Sequence, residues 1–108
     1  MEAGRHREAV AEFETALRAE PKHIPTRVSL AFCRLALEEP VAAGELFLAV
    51  LHEEPANEQA RRGLALALAQ TGRSPDALRL CATWQQEQPA NAVAVETEGE
   101  VRWIGRDF

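Results

Sequence analysis

The chain has 108 residues, of which 46% are hydrophobic and 6% aromatic, and it carries a formal net charge of −5. The length is that of one domain, and the hydrophobic fraction is enough for a core, though a thin one if the shape is elongated. Nucleic acid is an unfavourable partner for an acidic chain without grouped Lys and Arg, and no apolar run reaches the roughly 18 residues of a membrane span.

Helical periodicity predicts the first two helices. A first helix is expected between Gly4 and Pro21, because apolar residues recur at the helical spacing along one face. These residues are Ala9, Val10, Phe13, Ala16 and Leu17. A second helix is expected from about Pro25, a residue tolerated in a first turn, to Leu37. It is almost continuously apolar, so it is either covered on most faces or leaves one apolar face for a partner.

Two interruptions delimit the third and fourth helices. Pro40 ends the second pattern, and a third helix is predicted from about Val41 to Glu53. Asn57 can accept hydrogen bonds from the first turn of a fourth helix, which Gly72 ends. The middle of the chain is therefore predicted to hold two further helices.

The fifth and sixth helices have start signals of their own. Ser74 can cap the fifth helix with its hydroxyl, Pro75 fits the first helical position, and Asp76 lies at the positive end of the helix dipole. Asn91 caps a sixth helix that runs to Ile104. No strand alternation persists, so the sequence predicts an all-α chain of about six helices joined by short loops.

The chain repeats at a fixed interval. Pro21, Pro55 and Pro89 are spaced 34 residues apart, and the last two are each followed by Ala and Asn. A constant period of this length is typical of a solenoid, in which similar units stack on one another. We therefore predict an antiparallel helix-pair solenoid.

A helix–turn–helix period of 34 residues that closes with Pro resembles the tetratricopeptide repeat family. The matching positions are the Leu of the first helix (Leu30, Leu64), the small residue after it (Ala31, Ala65, Gly99), the turn Gly (Gly4, Gly72), the Ala that opens the second helix (Ala9, Ala43, Ala77) and the large apolar residue beyond it (Phe13, Phe47, Cys81). Small residues let two antiparallel helices approach closely. The chain departs from the family pattern at three kinds of position. Arg27, Arg61 and Val95 stand where the family has Trp, Glu38 stands where it has the turn Gly, and Val50 and Trp84 stand where Ala is usual.

The resemblance implies a single superhelical domain with units of defined extent. These are a half unit at 1–23, full units at 24–57 and 58–91, and a partial unit at 92–108. Each end then shows an apolar helix face that a neighbouring helix would normally cover. One hypothesis is head-to-tail self-association into homo-oligomers, which closes into a ring or extends into a filament. Another is that the chain is a docking or regulatory segment of a larger protein.

The resemblance also implies a concave groove that binds a peptide or a segment of another protein, as in an interaction scaffold. The groove residues that it indicates are Val28, Phe32, Leu35, Gln59, Arg62, Leu66, Gln70, Glu96, Glu100 and Trp103. We expect Phe32, Leu66 and Trp103 to supply apolar contacts, while Arg62 and the two Glu residues set the polarity. Alternatively, Phe32 and Leu66 are ordinary packing residues and Trp103 covers a further helix. One subclass of the family holds a peptide carboxylate with Lys and Asn, but here Arg62 is the only cation at those positions.

No catalytic residue, metal site or cofactor is predicted. His6, His23 and His52 are scattered over helix ends and loops, without His or Cys at ligand spacing. Cys33 and Cys81 fit neither a CxxC motif nor a dense disulfide framework. We expect free buried thiols in a reducing compartment, and hence a cytoplasmic protein, since the first residues also lack the pattern of a secretory signal. The predicted partner is a protein, with neither nucleic acid nor a membrane involved.

Overall fold

The computed structural model describes residues 2–106, which form six α-helices and no strand. The helices are α1 (Glu2–Ala19), α2 (Ile24–Ala36), α3 (Pro40–Glu53), α4 (Glu58–Gln70), α5 (Ser74–Glu87) and α6 (Ala92–Gly105). The all-α prediction and the number of helices are confirmed. From α2 onward the predicted boundaries agree with the observed ones as closely as helix ends can be defined.

The helices stack in two layers. Each helix packs against the next one in the chain, and α4 also packs against α2 and α6. Over residues 2–106, α3 packs against neither α1 nor α5. One layer therefore consists of α2, α4 and α6 and the other of α1, α3 and α5, in a body of 37 × 30 × 19 Å. This is the predicted helix-pair solenoid and not a bundle around one central core.

Asparagine side chains begin two of the helices, as predicted. Asn57 Oδ1 accepts a hydrogen bond from Ala60 N at 2.9 Å. Asn91 Oδ1 accepts from Val93 N at 2.8 Å and from Ala94 N at 3.3 Å. Each cap satisfies backbone donors of the first turn that have no partner within the helix.

The predicted Ser74 cap is wrong. Arg73 is the residue that precedes α5, and Ser74 is already its first helical residue. The turn after α4 is so short that Arg73 both completes the end of α4, through a 2.9 Å backbone hydrogen bond to Leu68 O, and precedes α5. No separate capping residue fits between them. The start of α5 instead carries Asp76, whose carboxylate accepts from Arg73 and Arg79, each at 2.9 Å.

The turns after α2 and α4 share a conformation that suits glycine. Gly72 has φ +81° after α4, and Glu38 has φ +60° after α2. In the second case, the Glu38 and Glu39 N–H groups donate to Leu35 O and Arg34 O at 3.0 and 2.9 Å. This paired hydrogen bond is a Schellman motif, in which a side chain on the left-handed residue costs about 1 kcal/mol. Within residues 2–106, Glu38 is the one non-glycine residue with positive φ.

A close contact in the core involves a glycine that the sequence analysis did not single out. Phe47 of α3 is fully buried, and its ring lies against the backbone of Gly63 in α4. A Cβ at Gly63 would be 2.1, 2.3 and 2.4 Å from three atoms of that ring. No side chain fits there, so Gly63 permits the close approach of α3 and α4.

Two glycines do not have the structural roles that the resemblance implies. Gly4, expected in a turn, is inside α1, and Gly99, expected at a close helix approach, is exposed on α6. No atom lies within 4 Å of a Cβ placed on either residue. The helix α1 continues through Gly4 without a turn, and Gly99 lies away from α4 and α5, the helices that pack against α6 within residues 2–106. The equivalent Ala31 and Ala65 are buried in the core.

Arginine ion pairs occupy the position of the family's Trp. Arg27 of α2 pairs with Glu53 at the end of α3, and Arg61 of α4 pairs with Glu87 at the end of α5, with an N–O distance of 3.0 Å in the second pair. The guanidinium carbon of Arg61 also lies 6.0 Å from the ring centroid of Trp84. The same ion pair therefore joins the two helices of both hairpins, where the family has an aromatic side chain.

Candidate functional site

Two recesses open beside the layer formed by α2, α4 and α6. The Phe32 recess has a volume of about 420 Å³, and its walls include Phe13, Val28, Phe32, Gln59 and Arg62. The Glu38 recess has a volume of about 560 Å³ and lies where the three helices end, with walls that include Leu35, Glu38, Ala69, Gln70 and Ile104. The two recesses share no residue.

The predicted groove residues divide between these recesses. Those that line the Phe32 recess are Val28, Phe32, Gln59 and Arg62. Those that line the Glu38 recess are Leu35 and Gln70. Leu66 is 8% exposed and belongs to the core cluster, while Glu96 is exposed outside both recesses. Glu100 reaches the Phe32 recess through its ion pair with Arg62.

Arg62 joins the three helices of one layer. Its Nη2 and Nε donate to the two carboxylate oxygens of Glu100 on α6, at 3.0 and 3.3 Å. Its guanidinium carbon lies 5.8 Å from the centroid of the Phe32 ring on α2. A bidentate pair over an aromatic face holds the guanidinium in one orientation. The structure thus brings together three predicted groove residues, one from each of α2, α4 and α6.

The Phe32 ring connects this surface to the core. Phe32 is half-buried, and its ring centroid lies 4.9 Å from that of Phe47, with an edge-on angle of 69°. Phe47 in turn contacts Gly63. The floor of the Phe32 recess is therefore supported by the close packing of Phe47 on Gly63, which keeps its shape preformed.

Trp103, a predicted groove residue, lines neither the Phe32 recess nor the Glu38 recess. Its side chain is 66% exposed on α6, and Val95, two turns earlier, is 54% exposed. The guanidinium carbon of Arg106 lies 3.6 Å from the centroid of the Trp103 indole. These residues form an open outer face of α6 that neither recess includes.

Neither cysteine carries an activated thiol. Both are free, but only Cys81 is buried as expected, whereas Cys33 is half-buried and lines the Phe32 recess. Burial, with a smaller contribution from the charge of Glu98, raises the pKa of Cys81 to about 11, and burial raises the pKa of Cys33. Neither is a good nucleophile at neutral pH, because few thiolates form. Residues 2–106 contain no group of three His, Cys, Asp or Glu side chains placed to hold a metal ion.

Sequence reasoning missed several residues that line these recesses, among them Phe13 and Glu38. Phe13 was placed on the apolar face of the first helix and not in the groove, yet it is half-buried and lines the Phe32 recess. Glu38 was noted only as a departure from the turn Gly, although it lines the larger recess. The signal for Glu38 was its alignment with Gly72, which indicates a positive φ but not the cavity beside it.

The fold and its grooved layer define a helical-repeat protein. A family model described as Tetratricopeptide repeat matches residues 1–47 and 35–96. The chain therefore belongs to the tetratricopeptide repeat family, as its resemblance indicated. No curated protein and no solved structure matches the chain.

Membership in this family indicates a class of function. Tetratricopeptide repeats generally mediate protein–protein interaction and are non-catalytic modules. None of the helices described is long and apolar enough to cross a membrane.

Proposed function

We propose that the chain is a protein-interaction scaffold that binds a segment of a partner protein on the face formed by α2, α4 and α6. The observation that carries this proposal is the arrangement of Phe32, Arg62 and Glu100, one residue from each helix, around a preformed recess. The proposal assigns this face no catalytic residue and no cofactor. An apolar floor with a fixed polar rim is the usual form of a peptide-binding surface.

In this proposal the recess recognises two features of the partner segment. An apolar side chain of the partner packs on Phe32 and Val28, which form the floor. Glu100 occupies the Nε and Nη2 of Arg62, so the remaining N–H groups of the guanidinium can donate to a carbonyl or carboxylate of the partner. The ion pair sets the direction of these donors before the partner arrives, which lowers the entropy cost of binding.

The proposal is tested with the purified chain as bait and with the partner that it recovers. Phe32→Ala and Arg62→Glu are each expected to weaken binding of that partner roughly tenfold or more, because they remove the floor and reverse the rim charge. Binding is measured by calorimetry after circular dichroism has shown that the variants remain helical. Val41→Ala on α3, where Val41 is 65% exposed, is the matched control. If both variants bind like the control, the binding face is elsewhere.

The outer face of α6 supports a second candidate, head-to-tail self-association. On α4, Arg61 lies over Trp84, and Ala65 and Ala69 share a core cluster with residues of α5. The equivalent positions on α6, 34 residues later, hold Val95, Gly99 and Trp103, which are exposed. A second helix of the type of α5 would fit on this face.

The α1 helix of a second copy is the occupant that we propose for this face. Phe13 of α1 is half-buried and Ala16 is exposed, whereas the equivalent Phe47 and Val50 of α3 are fully buried. Placed like α5 on α4, α1 would set Phe13 against Gly99, where no atom lies within 4 Å of a Cβ. A large side chain would then face a small residue across a heterologous contact.

Sedimentation velocity tests the second candidate. The sedimentation coefficient of the chain is expected to rise between about 10 µM and about 1 mM, and Trp103→Ala is expected to abolish that rise. Val41→Ser, which changes an equally exposed residue on α3, is expected to leave it unchanged. A chain that remains monomeric throughout this range contradicts self-association and leaves the outer face of α6 to a different partner.

A further inference from the structure

The Glu38 recess contains a residue that weakens the fold at its position. Glu38 adopts φ +60° in a turn whose counterpart after α4 is Gly72, at φ +81°. Glycine reaches this conformation without steric cost, whereas a glutamate does not. Backbone strain at a residue that lines a cavity is a reason to look for a function at that site.

The carboxylate of Glu38 has no hydrogen bond or ion pair within residues 2–106. The nearest basic residue along the chain is Arg34, one helical turn earlier. Arg34 donates instead to Glu39 and to Glu14, each at 2.8 Å. Glu38 lines the recess, so its negative charge is available to a ligand.

The rest of the recess adds apolar surface. Leu35, Ala69 and Ile104 supply apolar walls from three different helices. The carboxyl ends of α2 and α4 and the amino end of α3, at Pro40, all meet at the recess, so the helix dipoles there have opposite signs and Glu38 supplies its net charge. Among the residues that the structure describes, no Arg or Lys lines the recess, in contrast to Arg62 in the Phe32 recess. The surface is complementary to an apolar side chain beside a positive charge.

We infer that the Glu38 recess binds an apolar side chain of the partner segment that has a Lys or Arg next to it, with Glu38 as the specificity-determining carboxylate. This inference rests on the proposed function, since it specifies the chemistry of the partner segment. The strain at Glu38 is then the result of placing a carboxylate where the fold favours glycine. Glu38→Gly would relieve the backbone strain and remove the negative charge from the recess at the same time.

Random dodecapeptides displayed on phage are the probe, selected in parallel on the wild-type chain, Glu38→Gly and Phe32→Ala. Wild-type selection is expected to enrich Lys or Arg adjacent to a large apolar residue, and selection on Glu38→Gly is expected to lose that preference. The same Glu38→Gly variant is expected to melt a few degrees above the wild type, because strain is removed. Loss of binding in a stabilised variant cannot be a result of unfolding.

A double-mutant cycle then measures the charge contact directly. The most enriched peptide is compared with a version in which its Lys or Arg is replaced by Gln, on the wild-type chain and on Glu38→Gln. The basic peptide is expected to bind the wild type about fivefold more tightly than Glu38→Gln, whereas the Gln peptide binds both equally.

The outcomes separate this inference from the proposed function. Enriched peptides that depend on Phe32 but carry no basic preference, or whose affinity does not change with Glu38→Gln, overturn the inference and leave the proposed function standing. The absence of any enriched peptide on the wild-type chain overturns both.

Discussion

Gly63→Ala is expected to destabilise the chain by about 2 kcal/mol, although Ala is the better helix former. A new Cβ would lie 2.1 Å from the nearest ring atom of the fully buried Phe47. Overpacking of this kind costs up to about 3 kcal/mol, and the gain in helix propensity offsets about 1 kcal/mol of it. Urea unfolding followed by circular dichroism measures the difference.

Gly99→Ala is the matched control for this substitution. Gly99 is also inside a helix, but it is exposed, and a Cβ placed on it would have no atom within 4 Å. Here only the helix propensity changes, so a stabilisation of about 0.5 to 1 kcal/mol is expected. Phe47→Leu in the Gly63→Ala background is expected to recover about 1 kcal/mol, because it makes room for the methyl group. Two alanine substitutions that shift stability in the same direction would contradict this account of the core.

Trp84→Ala is expected to cost about 3 to 4 kcal/mol. Trp84 is 1% exposed and is the largest fully buried side chain in the part of the chain that the structure describes. Its indole Nε1 donates to Gln88 Oε1 at 3.3 Å, and Arg61 packs beside its ring. Ala is usual at this position in the family, so the large loss is expected for the ring of this chain and not for an average unit.

Trp103→Ala provides the contrast, since the chain has two Trp residues and the second is 66% exposed. This substitution is expected to change the free energy of unfolding by less than about 0.5 kcal/mol. Thermal melts of the two variants, each compared with the wild type, separate a structural Trp from a surface Trp. A Trp84→Ala variant that unfolds within about 1 kcal/mol of the wild type would show that Trp84 does not hold α4 and α5 together.

The core and the proposed binding face are connected through three aromatic and basic side chains. Gly63 contacts the Phe47 ring, which is edge-on to Phe32, and Phe32 lies under the guanidinium of Arg62. A substitution at Gly63 that displaces Phe47 is therefore expected to alter the floor of the Phe32 recess as well as stability. Gly63→Ala is therefore expected to lower both the affinity for the partner and the free energy of unfolding.

Helix number, order and approximate ends could be predicted because local signals specify them. Asn57 and Asn91 cap helices through bonds to residues two or three positions away, and Pro40 begins a helix in its own right. Signals of this kind depend on near neighbours in the chain. The Ser74 prediction failed because the end of the previous helix, at Gly72, decided where the next could start.

The contacts that shape the candidate site could not be predicted in the same way. Gly63 follows two arginines in a helical pattern, where the sequence indicates only a residue of low helix propensity. Its partner Phe47 is on another helix, so no local signal predicts their contact. Arg62 and Glu100 were both assigned to the groove, but their pairing across 38 positions depends on how α4 and α6 cross. Spacing predicts which face a residue occupies, whereas the pairing of side chains across that face is decided by tertiary packing.

The match between Phe47 and Gly63 limits how such an array can grow. These residues are 16 positions apart, and one period later the same positions hold Cys81 and Thr97, both fully buried. A tandem copy of the segment 58–91 would set Cys81 opposite a second Gly63, where a thiol leaves most of the volume of a phenyl ring empty. Lengthening the protein by gene duplication would thus require a compensating change at the new junction, which makes neighbouring repeats co-dependent and not interchangeable.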